Sequence, residues 1–366
     1  MVSRSPLSTN PTIHLVYPHG ERVSCPDAIG RNLGKRLEPL YKVRYYNWAS
    51  LSKIIPSPGD ILIGHACPIP FTIFRRSCED KRWGRVLLLS PHCHGDNHQP
   101  AFNEHVIYDC DLYLAITGNY WFRDVPNSIF SHWYSKMRHL DLAVDRNDFP
   151  AIKKVFNAPG ERKFLYIGTT AWYKNVGYLS EIAKAQPNVE FAWVGVDKGL
   201  PGIRPLGWQD FNTNEGKSVI SNYDFMITVG NADGNPTTIL EAMAWGLIPI
   251  CTPQSGYVNY NSIPNIPLND IDMAVSIIDD LQNVPESTLR TWQKENLILL
   301  DKHFNWDRFT NQVIDAIVSK ESPTIESASI GKKASMLWAE VTNPFWLFNL
   351  RLKKLKKIPS YLAKRK

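Results

Sequence analysis

The feature that most constrains this chain is a series of short, nearly unbroken apolar runs spaced by stretches of helical pattern. In the first half they are Thr12–Tyr17 (TIHLVY), Asp60–Gly64 (DILIG), Arg85–Ser90 (RVLLLS) and Leu112–Thr117 (LYLAIT). Such runs read as strands buried on both faces, unlike the alternating strands of a half-exposed sheet. Helices fit the intervals around Asp27–Leu37 and Pro70–Ser77. Strands alternating with helices build a mostly parallel sheet. A second set follows at Phe164–Gly168, Val189–Gly195, Phe225–Gly230 and Leu247–Cys251, with helices over Val176–Ala185 and Thr237–Trp245. Between the sets lies Asp145–Arg162 (DRNDFPAIKKVFNAPGER), where Pro, Gly and clustered charge mark a boundary. The expectation is two Rossmann-like, doubly wound α/β domains, 1–150 and 151–318, facing across a cleft. An amphipathic helix at Phe304–Val318 ends the second, and 319–366 reads as a linker (Ser319–Ser335) and a basic amphipathic tail. The length of 366 residues agrees, since single cores stop growing at roughly 250–300 residues. Ligands of such folds bind at the carboxyl ends of the strands.

Composition excludes other classes. With 43% hydrophobic and 21% charged residues the chain is neither disordered nor fibrous. No apolar run approaches the ~20 residues of a membrane span. Met1–His19 has an apolar run of only Ile13–Tyr17, so no secretory leader is expected. Six scattered cysteines without a CxxC pair fit a reducing, cytoplasmic compartment. The net charge of +6 is unevenly placed: 344–366 holds eight Lys/Arg and no acid, while the other 343 residues carry 33 basic against 35 acidic groups. A near-neutral body argues against nucleic acid as a partner. In the tail, Leu347, Phe348, Leu352, Leu355 and Ile358 share one helical arc, opposite Lys353, Lys354, Lys356 and Lys357. That pattern suits an interfacial helix on an anionic membrane at the inner face of the plasma membrane, each basic residue adding roughly 1 kcal/mol. A solvated basic tail or an oligomer contact has the same composition.

The stretch richest in chemistry is Asn231–Gly246 (NADGNPTTILEAMAWG), directly after an apolar strand. Asn235 suits an N-cap and Pro236 the first helical position. Thr237 and Thr238 then offer backbone N–H groups at a helix start, where unsatisfied donors and the helix dipole favour an anion. Glu241 follows on the same face about one turn (~5–6 Å) away, within reach of a ribose diol. Asp233 belongs to the preceding loop, Ala242 and Ala244 allow close packing on the sheet, and Gly246 ends the helix. A capped helix after a strand occurs throughout α/β proteins, so the spacing alone leaves a purely structural role open.

This stretch resembles the acid–seven–acid signature of GT-B nucleotide-sugar glycosyltransferases, in the large retaining family often called family 4 or group 1. Here it reads Asp233, seven residues, Glu241, then AMAWGLIPI, with Asp233 where members usually carry Glu. Phe164–Leu179 (FLYIGTTAWYKNVGYL) resembles the strand, basic loop and helix that hold the donor diphosphate; Lys174 matches the family lysine, and Thr169 stands where an arginine is usual. His139–Phe149 resembles the approach to the interdomain linker, and Phe304–Phe309 (FNWDRF) the start of the closing helix. Arg85–His92 resembles the strand whose end carries a cleft histidine, and Pro18-His19-Gly20 the first loop, with its usual glycine pair reduced to Gly20. The likeness spans about residues 12–318 and is strongest in the second half.

The resemblance implies transfer of a sugar from a nucleotide-diphosphate donor to a glycan or glycolipid acceptor, with retention and without a metal or cofactor. It implies that Gly20, Thr169, Lys174, Gly234, Thr237, Thr238 and Glu241 line the donor, and that His92 and Asp233 act at the donor sugar. A nucleotide-sugar epimerase, or a non-catalytic sugar-nucleotide-binding or scaffold protein of the same fold, are the rival readings. Thr169 keeps the second alive, because losing one cation removes ~1.5–3 kcal/mol of charge-assisted hydrogen bonding. Arg204 is a candidate replacement, and Trp208 a candidate neighbour of the base.

Other patterns carry less weight. Ser90–His98 (SPHCHGDNH) has the residue types of a metal site but reads better as a polar loop. Asp109-Cys110-Asp111 and Asp270-Ile271-Asp272 match a DxD metal triplet that is common by chance. GRNLGK (30–35) and GVDKGLPG (195–202) have the wrong spacing for a Walker loop or a dinucleotide fingerprint.

Overall fold

The computed structural model describes residues 4–18, 25–67, 71–96, 100–196 and 199–342. The first domain runs β1 Thr12–Tyr17, α1 Cys25–Leu37, β2 Lys42–Asn47, β3 Ile61–Gly64, α2 Ile73–Ser77, β4 Arg85–Pro91, β5 Leu112–Ile116, α3 Asn119–Asp124 and β6 Met137–Leu140. Its six strands form one sheet in the order β2-β1-β3-β4-β5-β6, parallel throughout. The second domain runs β7 Lys163–Ile167, α4 Val176–Ala185, β8 Glu190–Val194, β9 Arg204–Gly207, α5 Asn214–Ser221, β10 Phe225–Thr228, α6 Thr237–Trp245 and β11 Ile248–Cys251. Its sheet is also parallel, in the order β11-β10-β7-β8-β9. Then come α7 Ile271–Asn283, α8 Glu286–Lys302, α9 Trp306–Val318 and α10 Ile330–Thr342. The architecture is two doubly wound α/β domains.

All eight apolar runs are strands, and inner ones such as β3, β5 and β10 are buried at every residue. The three strands not marked by an apolar run, β2, β6 and β9, all lie at sheet edges. β2 (KVRYYN) is largely exposed and β9 (RPLG) holds a proline that an inner strand rarely tolerates.

The boundary stretch differs from a solvated linker. Lys153 and Arg162 are buried, and Lys153 Nζ pairs with the fully buried Asp224 at 3.0 Å and donates to the Ser221 carbonyl. Asp224 also accepts the N–H groups of Asn157 and Lys163. This charged knot pins the incoming chain to the base of β7 and β10. The segment after α8 returns to the first domain. There α9 packs on α1 and β4, and Arg85 Nε donates to the Ala316 carbonyl at 2.9 Å. The expected linker 319–335 is shorter than its composition implied: it crosses the first domain through Ser322 Oγ–Asp111 (2.8 Å) and gives way to α10 at Ile330. Residues 344–366, which carry the basic tail, lie outside the described residues.

Candidate functional site

The loops beyond the carboxyl ends of β5 and β10 meet across the gap between the domains. Gly118 N–H donates to the Gly234 carbonyl at 2.7 Å, Trp121 Nε1 donates to the Gln254 carbonyl at 2.8 Å, and Asn235 Oδ1 accepts from Leu142 N–H at 2.8 Å. The approach of Gly118 is so close that a Cβ there would overlap the backbone of Gly256, itself at φ +92°. The loop after β10 is thereby clasped to the first domain. Beside the clasp, Thr117 Oγ1, Asn231 Oδ1 and Gln254 Oε1 are buried with no partner among the described residues. Such atoms are rare in folded proteins.

Asn235 does not cap α6. Pro236, extended at φ −65° and ψ 126°, holds the N-cap position, so Asn235 sits one residue early and serves the interdomain bond instead. No side chain caps the helix, and Thr237 and Thr238 at its start are half-buried, not covered over. Thr237 and Glu241 line a cavity of about 380 Å³ with Arg31 and Cys25 of α1, Asp145 and Asp148 of the crossing, and Trp306 of α9. The amino end of α6 therefore opens on the interdomain space, as an anion site requires.

Lys174 comes from the loop after β7, near enough to act on Glu241. A 3-10 turn at Trp172–Lys174 ends at Asn175 (φ +52°), from which α4 departs. Asn231 N–H donates to the Tyr173 carbonyl at 3.0 Å, tying this loop to the one after β10. Lys174 Nζ binds Asp233 Oδ2 at 2.5 Å, with side chains only 17% and 13% exposed. Burial alone would lower the ammonium pKa; the Asp233 carboxylate outweighs it and holds the group above its usual value. Burial pushes the Glu241 carboxyl up to about 7, against a downward pull from Lys174. Lys174, Asp233, Glu241 and the first turn of α6 are thus brought together.

Other expected residues fall elsewhere. His92 is fully buried, edge-on to Tyr113, Phe130 and Trp133, and burial with a repulsion from His94 lowers its pKa to about 3. Its ring belongs to the first domain's interior, and its carbonyl nears the loop after β10, 3.0 Å from where a Cβ on Gly234 would lie. Thr169 is exposed and its carbonyl accepts from Tyr166 Oη at 2.6 Å. Arg204 does not replace the missing cation: it starts β9, at the opposite end of the sheet, bonded to Glu190 and Tyr223. Trp208 stands 69% exposed beyond the carboxyl end of β9. Gly20 and His98 lie outside the described residues.

The weaker patterns have structural roles. His94 pairs with Asp124 at 3.0 Å, Asp111 holds Arg4 and Val86 N–H, and Asp270 caps α7 by accepting from Met273 N–H. Among the described residues no group of three or more His, Cys, Asp or Glu side chains is placed to hold a metal ion. Arg31, Asp145 and Asp148 of the cavity carry no local motif; only the packing of α1 and the crossing against α6 makes them neighbours.

No family model and no curated protein matches this chain. Solved structures do. A glycosyltransferase from Rickettsia africae ESF-5 superimposes with a TM-score of 0.61 at 11% identity, over 86% of this chain and 100% of that one. WaaG, a glycosyltransferase involved in lipopolysaccharide biosynthesis, gives 0.56 at 11%, over 84% and 100%. An α-glucosyltransferase in complex with UDP and a 13-mer DNA gives 0.57 at 12%, over 85% and 100%. Identities this low establish the fold, and the fold is the GT-B architecture of these glycosyltransferases.

Proposed function

We propose that this chain is a glycosyltransferase that moves a sugar from a nucleoside-diphosphate donor to a glycan or glycolipid acceptor, with retention of configuration and without a metal. One observation carries the reading: the Lys174–Asp233 pair lies near Glu241, which with the uncapped start of α6 lines the cavity between two Rossmann-like domains. A departing nucleoside diphosphate gathers negative charge as the glycosidic bond breaks. Lys174 and the N–H groups at Thr237 and Thr238 are preorganised to stabilise it. Glu241 takes the ribose diol, and Asp233 and the Gly234 loop the donor sugar. The fold neighbours in complex with UDP and involved in lipopolysaccharide biosynthesis support a nucleotide donor and a cell-surface glycan acceptor. With the basic residues 344–366, the reading extends to work at an anionic membrane surface.

The test is a thermal-shift screen against UDP-, GDP-, ADP- and dTDP-sugars, followed by an assay for an extended acceptor. Donor at a hundredfold excess over its dissociation constant raises stability by about 2.7 kcal/mol. Lys174→Ala is expected to abolish the shift and the transfer; unchanged turnover in that variant overturns the reading. The exposed Thr169 in place of a cation favours a second reading, a non-catalytic binder. Donor binding without transfer or hydrolysis marks that case, and a free epimerised sugar marks an epimerase.

A further inference from the structure

The carboxyl edge of the first sheet holds a histidine with no part in the site described above. His65 follows β3 directly, and its backbone N–H donates to the Val16 carbonyl of β1 at 2.9 Å. Its ring is 7% exposed and set among others: Phe102 lies nearly parallel at 6.2 Å between centroids, Trp48 is T-shaped at 4.9 Å and Tyr17 T-shaped at 6.0 Å. Nδ1 stands 2.7 Å from the Ala66 carbonyl oxygen. A carbonyl can only accept, so Nδ1 carries the ring proton, and in the neutral ring Nε2 keeps a bare lone pair. Burial lowers the pKa to about 4, so the ring is neutral at pH 7. Among the described residues nothing bonds Nε2, and nothing bonds the Nε1–H of the half-buried Trp48. Neither atom is sealed from solvent. A tryptophan N–H in such a setting is normally partnered. An open acceptor and an open donor on adjacent rings together make a ready site for a ligand with both functions.

We propose that His65 Nε2 and Trp48 Nε1 bind the sugar that receives the transferred group, a pyranose that meets them through neighbouring hydroxyls. One hydroxyl donates to Nε2 and the oxygen of another accepts from Nε1–H, which supplies what each nitrogen lacks. The place fits that task. Ser90, at the end of β4, has its hydroxyl 3.4 Å from His65 Nδ1, and two residues on, the His92 carbonyl lies 3.0 Å from where a Cβ on Gly234 would be. The chain leaving β4 thus links the His65 ring to the loop that belongs to the donor sugar on the reading above. A nitrogen so reluctant to take a proton is a poor general base at neutral pH, so His65 aims the hydroxyl and does not deprotonate it. Naming this sugar the acceptor rests on the transferase reading. Its binding at the two rings does not.

The experiment is a saturation-transfer NMR titration of the full-length protein with the methyl pyranosides of glucose, galactose, mannose and N-acetylglucosamine, beside the thermal shift with nucleotide-sugar donors. Wild type is expected to transfer saturation to at least one of the four. His65→Phe keeps a ring in the stack and removes Nε2, and Trp48→Phe keeps a ring and removes Nε1–H. Each is expected to bind that pyranoside about tenfold more weakly, the worth of one hydrogen bond, with the donor-induced shift as in wild type. Undiminished pyranoside binding in either folded variant overturns the proposal, as does saturation transfer to none of the four sugars in wild type. Should His65→Phe fail to fold, Trp48→Phe alone decides. Pyranoside binding that the variants weaken, in a protein with no donor-induced shift, leaves the sugar site standing and removes the transferase reading instead.

Discussion

At the scale of single residues, the proposed chemistry turns on Lys174 and the two acids around it. The ammonium already holds Asp233, and on that proposal a diphosphate would have to share it. Asp233→Asn releases one charge-assisted bond, a difference of ~1.5–3 kcal/mol. The nucleoside diphosphate itself is then expected to bind as tightly as in wild type or more so by calorimetry, while transfer from the full donor falls roughly tenfold to a hundredfold. A parallel loss of both would mean that Asp233 only holds the lysine loop. Glu241 gives a pH prediction. Its carboxyl is raised to about 7 in the fold, so the neutral form is favoured there. Below the ordinary carboxylate value of ~4.3 it is protonated folded or unfolded and costs nothing. As pH rises towards 7 the unfolded chain ionises first and stability falls, with the full cost above neutrality. Glu241→Gln is therefore expected to melt higher than wild type above neutral pH and to converge with it near pH ~4. A ribose diol donates to the ionised form, so donor affinity in wild type should rise with pH through about 7 and stay flat in the variant.

At the scale of elements, the clasp between Gly118, Gly234 and Gly256 sets how the two loops meet. Gly118→Val adds a side chain where no atom fits, and overpacking of this kind costs ~1–3 kcal/mol. The variant is expected to fold, to melt lower and to gain protease sensitivity at the interdomain crossing; wild-type melting and proteolysis would show the clasp to be dispensable. The elements also show what was legible beforehand. Inner strands announced themselves because burial on both faces demands an unbroken apolar run, and α4 and α6 lie where their patterns put them. Edge strands did not, since β2 and β9 are mostly exposed and their residues answer to solvent. Lys174 and Asp233 were legible as a pair of loops after strands, yet their bond was not, because it joins residues 59 apart. Asn235 differs for the same reason: the helix beside it suggests a cap, but its partner, Leu142, comes from the other domain. His92 stands in a loop motif but is placed by three aromatic rings distant in sequence.

At the scale of the whole molecule, the chain crosses between the domains twice, and the second crossing makes the domain boundaries unequal to the sequence boundaries. Phe309, Val313 and Ile317 on α9 are buried at 1%, 0% and 1% in the core shared with α1. Each such side chain contributes roughly 1.5–3 kcal/mol by leaving water, against a total stability of about 5–15 kcal/mol for a domain. A fragment ending at residue 150 lacks all three, together with the Ala316 carbonyl that satisfies Arg85. That buried guanidinium would keep its charge and lose its partner, which adds a further penalty. The fragment is expected to be insoluble or unfolded by circular dichroism, whereas a chain through residue 342 is expected to melt cooperatively. In that longer chain Phe309→Ala should lower stability by ~3–5 kcal/mol, read from urea unfolding. Because α9 also seats Trp306 in the wall of the interdomain cavity, the proposed donor site predicts that the variant weakens donor binding without touching Lys174 or Glu241. A Phe309→Ala protein that binds donor as wild type would separate the packing of α9 from the shape of the site.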